Sequence, residues 1–394
     1  MSITGMRVSY THKIKIIYMK SLFLFIITLL LFSCNNRDLS RLDSLTRIDN
    51  TEQNVMVIST AIENSLFIPL KTNQQTFIGS YIGKIRNVSG YYYISCDHKR
   101  ILKFGPDGEY LMEVNNIGAG PREYTFLADY DVTPSFIAIL DVNKILLYSS
   151  ETGEYSNTIK LDCIGSAIKI LTDDLFAIYT SGGNTSVKII NSNGKEINNS
   201  GGRTSLSRLS RRCPFISLHT NSFIIQQGYS NNLIAYDFQK DEFKNIKLID
   251  TKEYISQEQE NDLIRKYGNR YYNDSDNNLI SDISSSGEDM MFIAKDKGNY
   301  TCYVANKASG KIKYSFNDKV INDLTFTNPN IWGYTSSCFS DDAFLSYLNM
   351  EELKEGLENY TGKKNTENYR ILEKLLLSSG DNIDLILVKF KFKP

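Results

Sequence analysis

The chain has 394 residues, carries 44 basic against 45 acidic side chains and is 41% hydrophobic. A net charge of −1 provides no global field to recruit nucleic acid or an anionic lipid surface, so those partners are not expected. Seven prolines against 25 tyrosines and 20 phenylalanines, with frequent Asn-Gly-type turn chemistry, favour strands over helices.

At the N-terminus Lys20 precedes the apolar run from Leu22 to Phe32, broken only by Thr28 and ending at Leu31-Phe32-Ser33-Cys34. A run of about a dozen residues is too short for a bilayer that needs about 20 helical residues, so it reads as a signal peptide over 1–33. Arg7, His12, Lys13 and Lys15 lie ahead of Met19, so residues 1–18 read as an upstream extension if the start is Met19. Leu-Phe-Ser-Cys resembles the lipobox of bacterial lipoproteins. The resemblance implies that the Cys34 thiol is acylated with diacylglycerol and becomes the new N-terminus after cleavage. The polar segment that follows, to roughly Asn54, has the composition of a chain that cannot pack a core and reads as a tether over 34–54. Two or three acyl chains at one cysteine hold a protein on a membrane stably, where a single chain is marginal.

From residue 55 to 394 no Pro-rich or Ser-rich linker divides the chain, and a recurring unit appears instead. Its clearest copy is Tyr91 to Ile94, a polar turn at Asp97-His98-Lys99-Arg100, Ile101 to Phe104, Pro106-Asp107-Gly108, then Tyr110 to Met112. Further copies run from Phe136 to Leu161, from Leu175 through Asn193-Gly194, from Phe223 through Asp241 to Ile249, and from Met290 through Ser309-Gly310 to Phe316. Gly108, Gly153, Gly194 and Asp241 fall 45, 41 and 47 residues apart, a period suited to a four-stranded propeller blade. The next interval, to Gly310, is 69, and the excess is filled by a helical insertion near 254–278 in which Ile255, Leu263, Ile264 and Tyr267 sit among charges. The fold class expected is therefore all-β, a six-bladed β-propeller. A sixth blade would draw strands from Thr325 to Thr335, from Ile383 to Phe392 and from Ser65 to Leu70, so that both ends of the domain share a sheet. The stretch near 341–379, with Phe344, Leu345, Leu348, Leu353 and Leu357 and then Tyr369, Leu372, Leu375 and Leu376, reads as two helices decorating that blade.

Gly118-Ala119-Gly120-Pro121-Arg122-Glu123-Tyr124, together with the lipobox and the blade spacing, resembles the six-bladed β-propeller lipoproteins of Bacteroides-type bacteria, relatives of NHL-repeat propellers. The resemblance covers roughly residues 60–394 and implies a cell-envelope location, at the outer membrane. It departs from the family at Arg122, where glycine is usual.

The candidate chemistry is thin. The 118–124 loop would contact a ligand through exposed backbone N–H groups and the charges of Arg122 and Glu123, or act as a blade-to-blade connector whose Glu123 and Tyr124 cap local backbone; the connector reading is preferred. Asn273 to Asn278 offers oxygens for calcium, but a 12-residue calcium loop begun at Asp274 would have Leu279 where glycine is needed and Ser285 where glutamate is needed. His12, His98 and His219 cannot build a histidine-rich zinc site. Arg203, Arg208, Arg211 and Arg212 would grip an acidic sugar or phosphate, but without interleaved aromatics they read as a hydrated loop. Beyond Cys34 the five cysteines are irregularly spaced and read mostly as small core residues. The leading expectation is a non-enzymatic binding or scaffold lipoprotein whose propeller holds a peptide, glycan or envelope protein. The alternative is a metal-dependent propeller hydrolase or lyase holding a divalent cation such as calcium in the central channel.

Overall fold

The computed structural model describes residues 53–72, 77–79, 81–180, 185–202, 214–219, 221–226, 228–249, 254–272, 277–296, 298–327, 338–340, 342–378 and 383–394. The signal segment with His12, Cys34, the tether as far as residue 52, the four arginines at 203–212 and residues 273–276 lie outside the described residues, while the last two residues read as tether, Gln53 and Asn54, pair parallel with Tyr314 and Ser315.

Strands follow the apolar runs read above. After β1 (Gln53–Asn54) and β2 (Ile62–Lys71), blade one is β3 (Ile82–Val88), β4 (Tyr91–Cys96), β5 (Arg100–Phe104) and β6 (Tyr110–Val114). Blade two is β7 (Asp129–Val132), β8 (Phe136–Asp141), β9 (Lys144–Ser149) and β10 (Tyr155–Lys160). Blade three is β11 (Gly165–Thr172), β12 (Leu175–Thr180), β13 (Val187–Asn191) and β14 (Glu196–Asn199). Blade four is β15 (Phe215–His219), β16 (Ser222–Gln226), β17 (Asn232–Asp237) and β18 (Glu242–Lys247). The helix α1 (Gln257–Tyr267) and a 3₁₀ turn (Gly268–Tyr272) then precede blade five, β19 (Leu279–Ser286), β20 (Asp289–Asp296), β21 (Asn299–Asn306) and β22 (Ile312–Phe316). The remaining elements are β23 (Cys338–Phe339), β24 (Phe344–Asn349), α2 (Met350–Asn359), α3 (Glu367–Ser378) and β25 (Ile383–Phe392).

The second strand of a blade is buried on both faces because neighbouring blades sandwich it. Tyr92 to Cys96, Ile137 to Asp141 and Ser222 to Gln226 are buried without alternation. The outer strands β10 and β18 are polar and largely solvated. The sixth blade closes the ring in the order β2-β25-β24, with Ile62 opposite Phe392 and Lys71 opposite Ile383. Both ends of the domain therefore share one sheet, as expected.

One strand of that blade differs from the sequence reading. Phe344, Leu345 and Leu348, expected in a helix, form β24 and pair with β25 from Phe344↔Phe390 to Asn349↔Leu385. Their spacing satisfies a helical stripe, but consecutive buried residues fit a strand covered on both faces, and helix begins only where the Asn349 side chain accepts the Glu352 N–H (2.7 Å). The strand expected from Thr325 to Thr335 is not seen over 325–327, and 328–337 lie outside the described residues.

The repeat of turn residues has a packing cause. Gly108, Gly153, Gly194, Asp241 and Gly310 all have positive φ, between 52° and 83°. A Cβ at Gly108 would stand 2.0 Å from the Pro69 carbonyl oxygen, and one at Gly194 2.2 Å from that of Lys160, each on the preceding blade's outer strand. Asp241 occupies the same place with a side chain, whose Oδ1 accepts the Asn198 amide at 2.7 Å.

Because successive strands reverse direction, the second turn of each blade and the connectors between blades emerge on one face. The first and third turns emerge on the other.

Candidate functional site

In blade one the innermost strand β3 is paired by β23, but in blade two the innermost strand β7 is a sheet edge, and the edge of blade three beside it carries N–H groups that need partners. Two carboxylates at alternating positions on β7 meet that need. Asp129 Oδ2 accepts the Ile168 N–H and Asp131 Oδ2 the Ile170 N–H, both at 2.9 Å, so the two-residue repeat of one strand matches that of the next. From the other side Lys84 Nζ pairs with Asp129 (3.2 Å) and Arg86 Nε with Asp131 (2.8 Å). Burial lifts the Asp129 carboxyl above its ordinary position, Lys84 and the Ile168 N–H offsetting only part of the effect. Burial also acts upward on Asp131, but Arg86, then Lys84 and Lys169, bring it below the ordinary range. Lys169 Nζ continues the chain of contacts to Ser217 Oγ (2.9 Å). This polar lattice ties blades one to four around the axis. The sequence reading did not find it, although Lys84 and Asp129 stand 45 residues apart, the same interval as Gly108 and Gly153.

On the connector face, Tyr81, His98 and Phe126 form a column, with ring centroids 4.2 Å apart between Tyr81 and His98 and 5.2 Å between His98 and Phe126. Each ring comes from a different segment: the connector into blade one, that blade's second turn, and the connector into blade two. Carboxylates set the register. Asp97 Oδ1 accepts the Tyr81 N–H (3.3 Å), and Asp141 accepts the Thr125 N–H and hydroxyl (both 3.0 Å) and the Phe126 N–H (3.3 Å). Phe126 remains 45% exposed and the neighbouring Phe77, with Arg100 4.8 Å over its ring, 59%. Asp97 and His98 have φ of 55° and 57°, and the exposed β-branched Val142, one blade on, has φ of 51°. Such conformations cost of order 1–3 kcal/mol and cluster where the surrounding structure holds side chains for a purpose.

The 118–124 loop stands beside this column. Gly118 N–H donates to the Tyr124 carbonyl and Tyr124 N–H to that of Asn116, both at 3.0 Å. Glu123 Oε2 accepts the Gly120 N–H (2.8 Å), and the Tyr124 hydroxyl donates to the carbonyls of Lys99 and Val114. A Cβ at Gly118 would displace the Glu123 carboxylate from its place against the Gly120 N–H. Pro121 and Arg122 face outward, Arg122 lying 5.6 Å over the Tyr155 ring, so a side chain replaces the family's glycine without strain.

The inserted helix α1 is fastened from below by Glu260, which is fully buried. Its Oε1 accepts the Tyr229 N–H (2.6 Å) and the Tyr271 hydroxyl, while Oε2 has no hydrogen-bond partner among the described residues. Burial raises the carboxyl above its ordinary 4.5, so between its unfolded and folded titration points the native chain keeps a proton that the unfolded chain has lost. Stability therefore falls as pH rises through that window. Glu260→Gln keeps both acceptor bonds and supplies an N–H donor toward Ser230, which stands beside the carboxylate on the turn between β16 and β17. It should raise stability at pH 7 by on the order of 1 kcal/mol and flatten that fall, as read by thermal melts from pH 4.5 to 7. A lower melting point for the variant at pH 7 would contradict this.

Among the described residues no three His, Cys, Asp or Glu side chains gather as a metal-holding group. Cys96 and Cys302 are buried free thiols on strands and Cys163 is half-buried and free. His219 lies at the end of β15 in blade four, away in the fold from His98 in blade one.

A family model described as a domain of unknown function, DUF4934, matches residues 45–391. A crystal structure of a protein assigned as exported, from Bacteroides fragilis NCTC 9343, superposes with a TM-score of 0.69 at 17% identity, covering 89% of this chain and 99% of that one. A protein of unknown function from Bacteroides caccae gives 0.40 at 11% identity, covering 60% and 82%. No curated protein matches the chain.

Proposed function

The chain belongs to the DUF4934 family, and from that premise we propose that it is an exported lipoprotein, anchored through Cys34 at the outer membrane, whose propeller is a binding or scaffold module for a glycan, peptide or envelope protein. The observation that carries the reading is the Tyr81–His98–Phe126 column, exposed at His98 and Phe126. A rigid ring of blades holds it, with carboxylate caps on two of its three segments, which is how binding groups on turns are fixed by a scaffold. Exposed ring faces suit the C–H face of a sugar or the side chains of a peptide. Pro121 and Arg122 are the members of the 118–124 loop that would add to this surface, with Gly118, Gly120, Glu123 and Tyr124 holding them in place. The export assignment of the Bacteroides fragilis structure and the Leu31-Phe32-Ser33-Cys34 sequence support the envelope location.

The anchor has a direct test. Cys34→Ala removes the thiol at the expected cleavage boundary and should leave an uncleaved or soluble product, read by detergent partitioning and by the mass of the N-terminus. Processed protein that stays in the lipid fraction would refute the anchor.

A further inference from the structure

Where α1 covers the second turn of blade four, three buried side-chain oxygens have no hydrogen-bond partner among the described residues: Gln226 Oε1, Ser230 Oγ and Glu260 Oε2. Gln226 is 1% exposed and the other two are fully buried. Gln226 ends β16, and Ser230, on the turn that follows, stands beside the Glu260 carboxylate. Ile280 on β19 ties the group together. Its carbonyl accepts the Gln226 Nε2–H (2.9 Å), its N–H donates to the Tyr229 carbonyl (2.9 Å), and the Tyr229 N–H donates to Glu260 Oε1 (2.6 Å). With Gln226 Nε2 and Glu260 Oε1 engaged in this way, the atoms left over are all oxygens.

Buried oxygens of this kind are met, as a rule, by a water or an ion. Charge decides between the two. Glu260 makes no ion pair among the described residues, and a fully buried carboxylate without a counter-charge is costly in a way that a neutral water does not relieve. A set of oxygens with one negative charge suits a hard cation. Among the described residues no second acid joins Glu260 in a metal-holding group, so a divalent ion would leave an uncompensated positive charge in the interior, whereas a monovalent ion balances the single carboxylate. We propose that Gln226, Ser230 and Glu260 hold a sodium or potassium ion, which fastens α1 to blade four. The titratable side chain in contact with this carboxylate is Tyr271, whose hydroxyl donates to Oε1. Ion and proton compete for Glu260, so the fall of stability with pH described above belongs to buffer free of alkali ions.

The test is thermal unfolding of the full chain at pH 7 in sodium, potassium, calcium or choline chloride, all at one ionic strength of about 150 mM. Choline carries the same charge as the alkali ions but is too large for a buried oxygen site. Sodium or potassium should raise the melting temperature by about 2–4 °C over choline, and the increment should grow with ion concentration, as binding to the folded chain alone requires. Glu260→Gln keeps the shape of the side chain and should lose the difference between salts. Glu258→Gln, at an exposed acid on the same helix, should keep it. Ser230→Ala serves if Glu260→Gln disturbs folding, and should raise the alkali-ion concentration at half effect by about threefold or more. Equal melting in the alkali and choline salts, a difference between salts that survives in Glu260→Gln, or a larger rise with calcium than with either alkali ion would each overturn the proposal.

Discussion

Removing residues 381–394 should leave a chain with no cooperative unfolding transition. β25 is the middle strand of the closing blade, paired with β2 on one side and β24 on the other. It buries Leu385, Ile386, Leu387, Val388, Phe390 and Phe392. At about 1.5–3 kcal/mol for each buried large side chain, these six contribute roughly 9–18 kcal/mol. A whole domain is stable by only about 5–15 kcal/mol, so the loss cannot be absorbed. The cut also uncovers the apolar faces of β2 and β24 and two unpaired edges, which favours aggregation. Thermal unfolding and size-exclusion chromatography of the truncated chain, set against residues 40–394, check this. A truncated chain that is monomeric and melts at the same temperature would mean that β25 does not close the ring.

Asp129→Ala should cost about 3–5 kcal/mol, the range for breaking a buried ion pair from one side. The change removes the carboxylate from Lys84, whose side chain is 8% exposed, and takes the acceptor from the Ile168 N–H on the next blade. Lys84 Nζ keeps its bond to the Tyr130 carbonyl (2.6 Å), which does not neutralise it. Replacing both partners, as Lys84→Met with Asp129→Leu, should recover part of the loss, because the desolvated charge is then absent. Denaturant unfolding of the single and double variants measures the difference. Equal stability of Asp129→Ala and the parent chain would show that the lattice around the axis contributes nothing.

The blades were legible in the sequence because their second and third strands are continuous apolar runs and their third turns carry a left-handed residue at a regular interval. Gly108, Gly153 and Gly194 have that conformation, and Asp241 shows why the turn can be read even without glycine. The inner strands were not legible. Asp129-Tyr130-Asp131-Val132 has acids where a buried strand should have apolar residues, and only the pairing with Lys84 and Arg86 explains them. From sequence alone β24 reads as helix because Phe344, Leu345 and Leu348 suit either period and run straight into α2. In the 118–124 loop the glycines were visible, but their reason, the return of Glu123 onto the Gly120 N–H, needs the folded loop. The aromatic column was invisible for a simpler cause. Its three rings are 17 and 28 residues apart, and nothing local marks Tyr81, His98 and Phe126 as neighbours.

Binding at that column is the claim on which the functional reading stands, and a combined glycan and peptide array probed with the folded chain from Leu42 to Pro394, beside its Phe126→Ala variant, tests it most directly. The parent chain should retain a defined set of related glycans or peptides. Phe126→Ala, a change at a ring 45% exposed, should weaken them about tenfold or more while melting within about 1 kcal/mol of the parent. An array on which the parent retains nothing, or on which the variant binds the same members equally well, would contradict a binding role for this face.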